Sequence, residues 1–154
     1  MSKSEVIAAV EDTWRAFRDS FERLTTTDLE VGGVTGDWSI KDVVGHVAAW
    51  DLALARIVAA SDLGPEPTDG QIETFNRQQS ARRSRKTVAE VLTELEEARR
   101  TLRDALQAAP ESAFIHGSDW RRRIDTFSVL HHQEHAAEIK TWIEQTGRGW
   151  RTAS

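Results

Sequence analysis

The 154-residue sequence contains no cysteine and no tyrosine, one methionine and three prolines. Without cysteine, the chain can form no disulfide framework, no thiolate nucleophile and no cysteine-rich zinc site, so any metal ion must be bound by histidine and carboxylate side chains. Without tyrosine, no phenol hydroxyl can act as an acid or an oxyanion donor. The five histidines therefore carry most of the chemistry available to this chain, beside six tryptophans and five phenylalanines.

A strong excess of one charge is also lacking. The net charge is −5 and 29% of the residues are charged, which is typical of a soluble surface and argues against a dedicated nucleic-acid binder. Two basic clusters, at 82–86 and 121–123, have no interleaved aromatic residues, and a solvated surface explains them better. The polar start at Met1 has no basic and apolar signal region, and no apolar run is expected to approach membrane-spanning length. We expect a cytoplasmic protein whose partner is a small molecule, and neither nucleic acid nor a membrane.

Four long stretches carry apolar residues at helical spacing, and none alternates as a half-buried strand would. Glycine-rich or proline-containing segments separate them, and a short extra helix is expected over 71–80 between the second and third. This pattern predicts an all-α four-helix bundle that forms a single domain over residues 1–154. From capping residues and helix breakers, the four helices are expected at 2–24, 39–60, 87–110 and 125–147, with Ser2, Ser39, Thr87 and Asp125 at their N-termini.

Residues 131–135 read His-His-Gln-Glu-His and hold three of the five histidines. On a helix, His131 and His135 lie on one face about 40° apart in projection and can reach one ion, and His132 is also close enough to His135 to do so. A metal site needs a third ligand from elsewhere. His46, in the second helix, projects among apolar residues and so faces the core. Because burying several uncoordinated imidazoles is costly, three inward histidines favour a shared divalent metal ion.

The stretch Trp38-Ser39-Ile40-Lys41-Asp42, followed by His46 and Trp50 and later by His131 and Glu134-His135, resembles the DinB-like superfamily of four-helix bundles. The tryptophan-serine-x-lysine-aspartate start of the second helix and the H-x-x-E-H pattern look most similar to the ClbS/DfsB group. The resemblance covers about residues 4–146. It implies a metal triad of His46, His131 and His135, with His132 as a flanking group.

Members of the superfamily include a self-resistance protein that hydrolyses a cyclopropane and thiol-dependent transferases and isomerases, some of them mycothiol-dependent. The resemblance therefore implies a metal-dependent hydrolase or a thiol-dependent transferase that acts on a small electrophilic metabolite, in detoxification or self-resistance. One departure is that superfamily members often have Arg-Gly-Gln after the last histidine, where this chain has Ala136-Ala137-Glu138. A role of that arginine does not transfer.

Two glutamates near the histidines are candidate catalytic residues. The H-x-x-E-H order also matches inverzincin peptidases, but the segment 136–154 is too short for a downstream ligand and a substrate chamber, so we reject a peptidase. Glu134 and Glu138 lie at the edge of the histidine face, where either can orient a ligand histidine or accept a proton during catalysis. Solvent-side ion pairs along the helix would explain both equally well.

Tryptophans are expected to line an apolar pocket beside the ion, although plain core packing is the common alternative. The candidates for this pocket are Trp38, Trp50, Trp120 and Trp142, with Trp120 at the rim.

Two functions other than an enzyme stay open: a non-catalytic bundle that sequesters a small molecule, and a bundle with a purely structural metal. The expected cofactors are a divalent metal ion, with zinc or nickel favoured, and a low-molecular-weight thiol. A homodimer is expected as well, since bundles with an apolar outer stripe often pair.

Overall fold

The structure is a computed structural model that describes residues 1–149. Over this range the chain is helical and contains no β-strand. The α-helices are α1 (Lys3–Asp19), α2 (Thr26–Leu29), α3 (Ile40–Ala60), α4 (Asp69–Arg83), α5 (Val88–Ala108), α6 (Asp119–Phe127) and α7 (Val129–Thr146), and a short 3-10 helix covers Glu111–Phe114. The expected all-α class is confirmed.

The long helices begin where the capping residues predict. Ser39 and Asp42 form a capping box at the start of α3, and Thr87 and Glu90 form another at the start of α5. In each box the hydroxyl accepts a hydrogen bond from the third backbone N–H while the carboxylate accepts one from the capping residue, which satisfies two otherwise unpaired donors. The extra helix between the second and third long helices is also present, and α4 is longer than the predicted 71–80.

The start of the fourth long helix was predicted wrongly. Asp125 does not cap it, because its carboxylate binds the Arg121 side chain within α6. The N-terminal cap of α6 is Ser118, whose hydroxyl accepts from the backbone N–H of Arg121. Ser128 then separates α6 from α7 with φ −127° and ψ −83°, outside the helical region. The helix predicted over 125–147 is therefore interrupted at Ser128, with the end of α6 before it and α7 after it.

The first helix is also shorter than predicted. Helix α1 ends at Asp19 rather than near Leu24, and another capping box, at Thr25 and Asp28, starts the one-turn helix α2. The apolar side chains of Phe21 and Leu24 still pack on the core, so the hydrophobic pattern was correct although the helix had ended.

Four helices form the bundle, with α3 packed along α5 and α1 along α7. The core contains two groups of buried side chains. One lies around Phe17, Phe21, Ile40, Leu95 and Ile139, and the other around Val6, Leu54, Leu102, Phe114 and Ile124. Because α3 contributes to both groups, it is held along its length against α5, and it also packs on α4, α6 and α7.

Helix α3 is long and apolar enough to cross a membrane by length and composition, contrary to the expectation from the sequence. In the structure, 61% of its apolar window is buried inside the protein. This burial is typical of the core helix of a bundle.

Candidate metal centre

Three histidine side chains meet where α3 faces α7. The Nε2 atom of His131 lies 2.9 Å from Nε2 of His46 and 2.9 Å from Nε2 of His135. The three candidate ligand atoms all lie within 4.8 Å of one another. The structure therefore brings together the three residues that the sequence singled out, and this histidine cluster could hold a metal ion.

The charge state of the histidine cluster suits a metal ion. Burial, reinforced by the neighbouring imidazoles, lowers the pKa of His46 to about 3 and that of His131 to about 2. Both rings are therefore neutral at physiological pH, and a neutral imidazole offers one nitrogen lone pair. Three neutral imidazoles are a known ligand set for zinc.

The hydrogen bonds around His135 fix which of its nitrogens is free. Nδ1 of His135 lies 3.2 Å from Oε2 of Glu138, so Nδ1 carries the proton and donates to the carboxylate. In the neutral ring, Nε2 then has a lone pair that points at Nε2 of His131. A single nitrogen of His131 cannot satisfy both neighbouring rings by hydrogen bonding, whereas one cation can accept all three lone pairs.

The spacing of the nitrogens also fits an ion. Zinc–nitrogen bonds of about 2.0–2.1 Å in a tetrahedral arrangement separate the nitrogens by roughly 3.3–3.4 Å. The two 2.9 Å separations would need to widen by about half an ångström, and the third separation, between His46 and His135 and within 4.8 Å, would need to reach the same value. Rotation about the side-chain torsions allows both adjustments. The donor set therefore fits a divalent metal ion.

Glu138 connects the histidine cluster to the segment before α3. Its Oε2 atom accepts a short hydrogen bond from the hydroxyl of Thr35 as well as the bond from His135. This position matches the orienting role considered for Glu138, because a carboxylate on the far ring nitrogen fixes the ring and its tautomer. Glu134 is exposed on α7, and within residues 1–149 it has no hydrogen-bond or ion-pair partner. The structure does not bring Glu134 to the ring nitrogens.

His132 lies beside the histidine cluster in sequence but faces another direction. It is fully buried, and its Nε2 atom lies 2.9 and 3.0 Å from the two carboxylate oxygens of Asp51 on α3. Its Nδ1 atom lies 3.0 Å from the hydroxyl of Thr13 on α1, and that hydroxyl donates to the carbonyl of Val10. His132 therefore links α7 to α1 and α3, and is not the half-exposed side chain that simple surface placement would give.

The hydroxyl of Thr13 determines where the protons of His132 and its partners lie. Since Thr13 gives its one proton to Val10, Nδ1 of His132 must be the donor to Thr13. One further proton lies between Nε2 and Asp51, so that the pair is neutral as a whole. Burial raises the pKa of Asp51, and the neighbouring His132 opposes that rise. We call Thr13, Asp51 and His132 the buried triad.

The four tryptophans expected in one pocket lie in different places. The Trp38 ring is 5.0 Å from the His46 ring, and Trp50, one turn after His46, donates its indole N–H to Asn76 on α4. Trp142 is buried in the core cluster of α1 and α7, and Trp120 packs on the other cluster. Only Trp38 and Trp50 lie beside the histidine cluster.

Three residues in and around the candidate metal centre were not found from the sequence. Asp51 gave the clearest signal, as a carboxylate inside an otherwise apolar stretch of α3, but its partner is 81 positions away. Asn76 gave no signal, since it is one of several polar residues in α4. It contacts His46 and partly offsets the lowering of the His46 pKa. Thr35 lies in a glycine-rich connection with no periodicity to show where it points.

The shape of the chain is similar to three solved structures. A structure named "Sibling Lethal Factor Precursor - DfsB" has a TM-score of 0.79 and 15% sequence identity, with 96% of this chain and 98% of that chain covered. An uncharacterised protein from Escherichia coli UTI89 has a TM-score of 0.77 and 11% identity, with 96% and 95% covered. A Streptococcus pneumoniae protein has a TM-score of 0.75 and 13% identity, with 94% and 91% covered.

At these identities the likeness shows the fold alone, and this fold confirms the DinB-like bundle expected from the sequence. No curated protein matches the sequence. Residues 10–135 match the family model described as the mycothiol maleylpyruvate isomerase N-terminal domain, and this match covers both histidine-bearing helices up to His135. The chain therefore belongs to the mycothiol maleylpyruvate isomerase N-terminal domain family, within the DinB-like superfamily.

Proposed function

We propose that this protein is an enzyme that uses a divalent metal ion, zinc or nickel, bound by His46, His131 and His135. The observation that carries the proposal is the convergence of three ring nitrogens within 4.8 Å, two of them on imidazoles whose pKa burial has lowered far below neutrality. When bound by three imidazoles, such an ion supplies Lewis acidity and lowers the pKa of a nucleophile, with a coordination position left open.

The proposed reaction is hydrolysis of a small electrophilic metabolite, or transfer of a low-molecular-weight thiol to it. Family membership supports the thiol, because the family description names mycothiol. We propose a role in detoxification or self-resistance in the cytoplasm, with neither nucleic acid nor a membrane as partner. A homodimer remains a prediction.

The surroundings of the histidine cluster favour catalysis over a purely structural ion. His46 and His131 are only partly buried, and a cavity of about 740 Å³, lined by Trp38 and Asn76 and not by the histidines themselves, lies next to the cluster. Structural metal sites are usually closed, whereas a catalytic site needs an approach for its substrate. Trp38 covers one side of His46 and restricts water there, while Glu138 holds the Nδ1 proton of His135 and keeps its Nε2 lone pair directed into the cluster.

The experiment that tests this function measures turnover of esters, epoxides and other small electrophiles by the metal-loaded protein, with and without added thiol. We expect product from at least one substrate, and none from His135→Ala. Glu138→Gln should lower activity or metal affinity by roughly 10–100-fold, because the carboxylate that orients His135 is lost. Glu134→Gln is the matched control on the same helix and should have no effect.

Other outcomes would support the alternatives. A structural ion predicts that His135→Ala lowers the melting temperature while no protein variant, wild type included, turns over any substrate. A sequestering protein predicts saturable ligand binding without product. Equal activity of Glu138→Gln and Glu134→Gln would contradict the role given to Glu138.

A further inference from the structure

A second cavity, of about 400 Å³, lies between α3, the connection to α4, α4 itself and α6. Aromatic rings form much of its wall: the Trp50 ring is stacked on Phe127 at 5.1 Å with an interplanar angle of 9°, and lies 4.7 Å from the Phe75 ring. Leu54 and Ile57 add aliphatic surface. Since Trp50 follows His46 by one helical turn, we refer to this space as the aromatic cavity beside the histidine cluster.

Arg123 is the charged group of the aromatic cavity, and it is only 4% exposed. Its Nη1 atom donates to the carbonyl of Leu63 at 3.1 Å, and its guanidinium lies 5.7 Å from the Phe127 ring. Within residues 1–149 it forms no ion pair, although a guanidinium has five N–H donors. A buried charge without a counter-ion is costly, and a cation–π contact offsets only part of that cost.

Arg121 on the same helix shows what a fully paired arginine looks like here. It is similarly buried, at 6% exposure, but its Nε atom donates to both carboxylate oxygens of Asp125, at 3.0 and 2.9 Å. Its Nη1 atom donates to the carbonyl of Phe114 at 3.0 Å. Helix α6 therefore holds one buried arginine with its counter-ion and one, Arg123, whose remaining donors are available to the cavity.

We propose that the aromatic cavity binds a small carboxylate with an aromatic or apolar body, and that Arg123 pairs with the carboxylate group. The rings of Trp50, Phe75 and Phe127 contact the body of the ligand, and the guanidinium supplies the planar pair of donors that a carboxylate matches. The volume suits a compact ligand of this kind. That this ligand is the substrate of the histidine cluster rests on the proposed function, whereas the binding itself does not.

The test compares two probes of nearly the same shape, phenylacetate and phenylacetamide, in titrations followed by calorimetry and by the indole ¹⁵N–¹H signals. The buffer contains a chelator, so that the carboxylate cannot bind an ion at the histidines. We expect phenylacetate to bind at least about tenfold more tightly than phenylacetamide, since hydrogen bonds to a charged group are stronger than those between neutral groups. Arg123→Gln should remove the difference, and Arg122→Gln, an exposed neighbour on α6, should retain it.

A further variant covers the case in which Arg123→Gln does not fold. Ala53→Leu places a larger side chain in the cavity wall while leaving Arg123 intact, and it should weaken both probes. Equal binding of the two probes to the wild type, no binding of either, or an equal loss in Arg122→Gln would overturn the proposal. A protein that binds no metal but still prefers phenylacetate through Arg123 would contradict the proposed enzyme and leave this cavity as assigned.

Discussion

The buried triad gives the sharpest prediction for stability. Asp51→Ala removes the carboxylate that pairs with Nε2 of His132, and both side chains are 0% exposed, so the nitrogen loses its partner in a position closed to bulk water. Breaking a buried pair in this way costs about 3–5 kcal/mol, because the remaining partner is left desolvated and unpaired. That is a large fraction of the roughly 5–15 kcal/mol that stabilises an ordinary domain.

The assay is urea unfolding followed by tryptophan fluorescence. Asp51→Asn keeps the shape of the side chain and supplies an amide N–H that can donate to Nε2 of His132, so it should cost less than Asp51→Ala. Replacing Asp51 and His132 together by leucine should recover part of the loss, since an apolar pair leaves no unpaired group. Asp62→Ala, in an exposed position after α3, is the control and should change stability by less than about 0.5 kcal/mol. If Asp51→Ala cost no more than Asp62→Ala, the buried triad would not stabilise the fold as we argue.

Two further predictions concern packing and pH. Gly45→Ala would place a methyl group 2.4 Å from Cδ of Arg83 and should destabilise the protein by about 1–3 kcal/mol. In an Arg83→Ala background the same substitution should stabilise the protein by up to about 1 kcal/mol, because alanine favours a helix more than glycine does. A change of the same sign in both backgrounds would contradict this packing. In chelator-treated protein, stability should fall as the pH decreases from about 6.5 to about 5, with a contribution approaching 2.7 kcal/mol per pH unit from two groups. The sign follows because the unfolded chain takes up protons at His46 and His131 near 6.5, whereas the folded protein does so only near 3 and 2. Asp51, whose pKa is raised, contributes to the pH dependence of stability with the opposite sign. The wild type is therefore compared with a His46→Ala, His131→Ala double variant, which retains Asp51. Equal slopes of stability against pH in the two proteins would refute the neutral state given to His46 and His131.

The fold could be predicted from the sequence where local signals are strong. Apolar spacing and capping residues predicted the starts of α3 and α5, because the cap and the hydrophobic stripe lie in one continuous segment. The same reasoning failed near Asp125, since a carboxylate can cap a helix or pair with a side chain one turn earlier, and only the position of Arg121 decides which. Helix α6 is largely polar, so its short apolar stripe was not distinguished from a loop.

The candidate metal centre was predicted for a similar reason. The spacing of His131 and His135 is local, and the single inward histidine of α3 left one choice for the third member of the cluster. The residues that hold the cluster in place come from distant segments: Glu138 receives its second hydrogen bond from Thr35, 103 positions earlier. Such pairings depend on how helices pack, which spacing along one helix does not reveal.

Metal content shows directly whether the histidine cluster binds an ion. The protein, purified without a histidine tag and incubated with zinc or nickel, is dialysed and analysed by mass spectrometry for bound metal. We expect about one ion per chain in the wild type, little in His46→Ala and His135→Ala, and an unchanged value in His116→Ala, where the exposed histidine serves as control. A wild type that binds far less than one ion per chain, or cluster variants that bind as much metal as the wild type, would contradict this expectation.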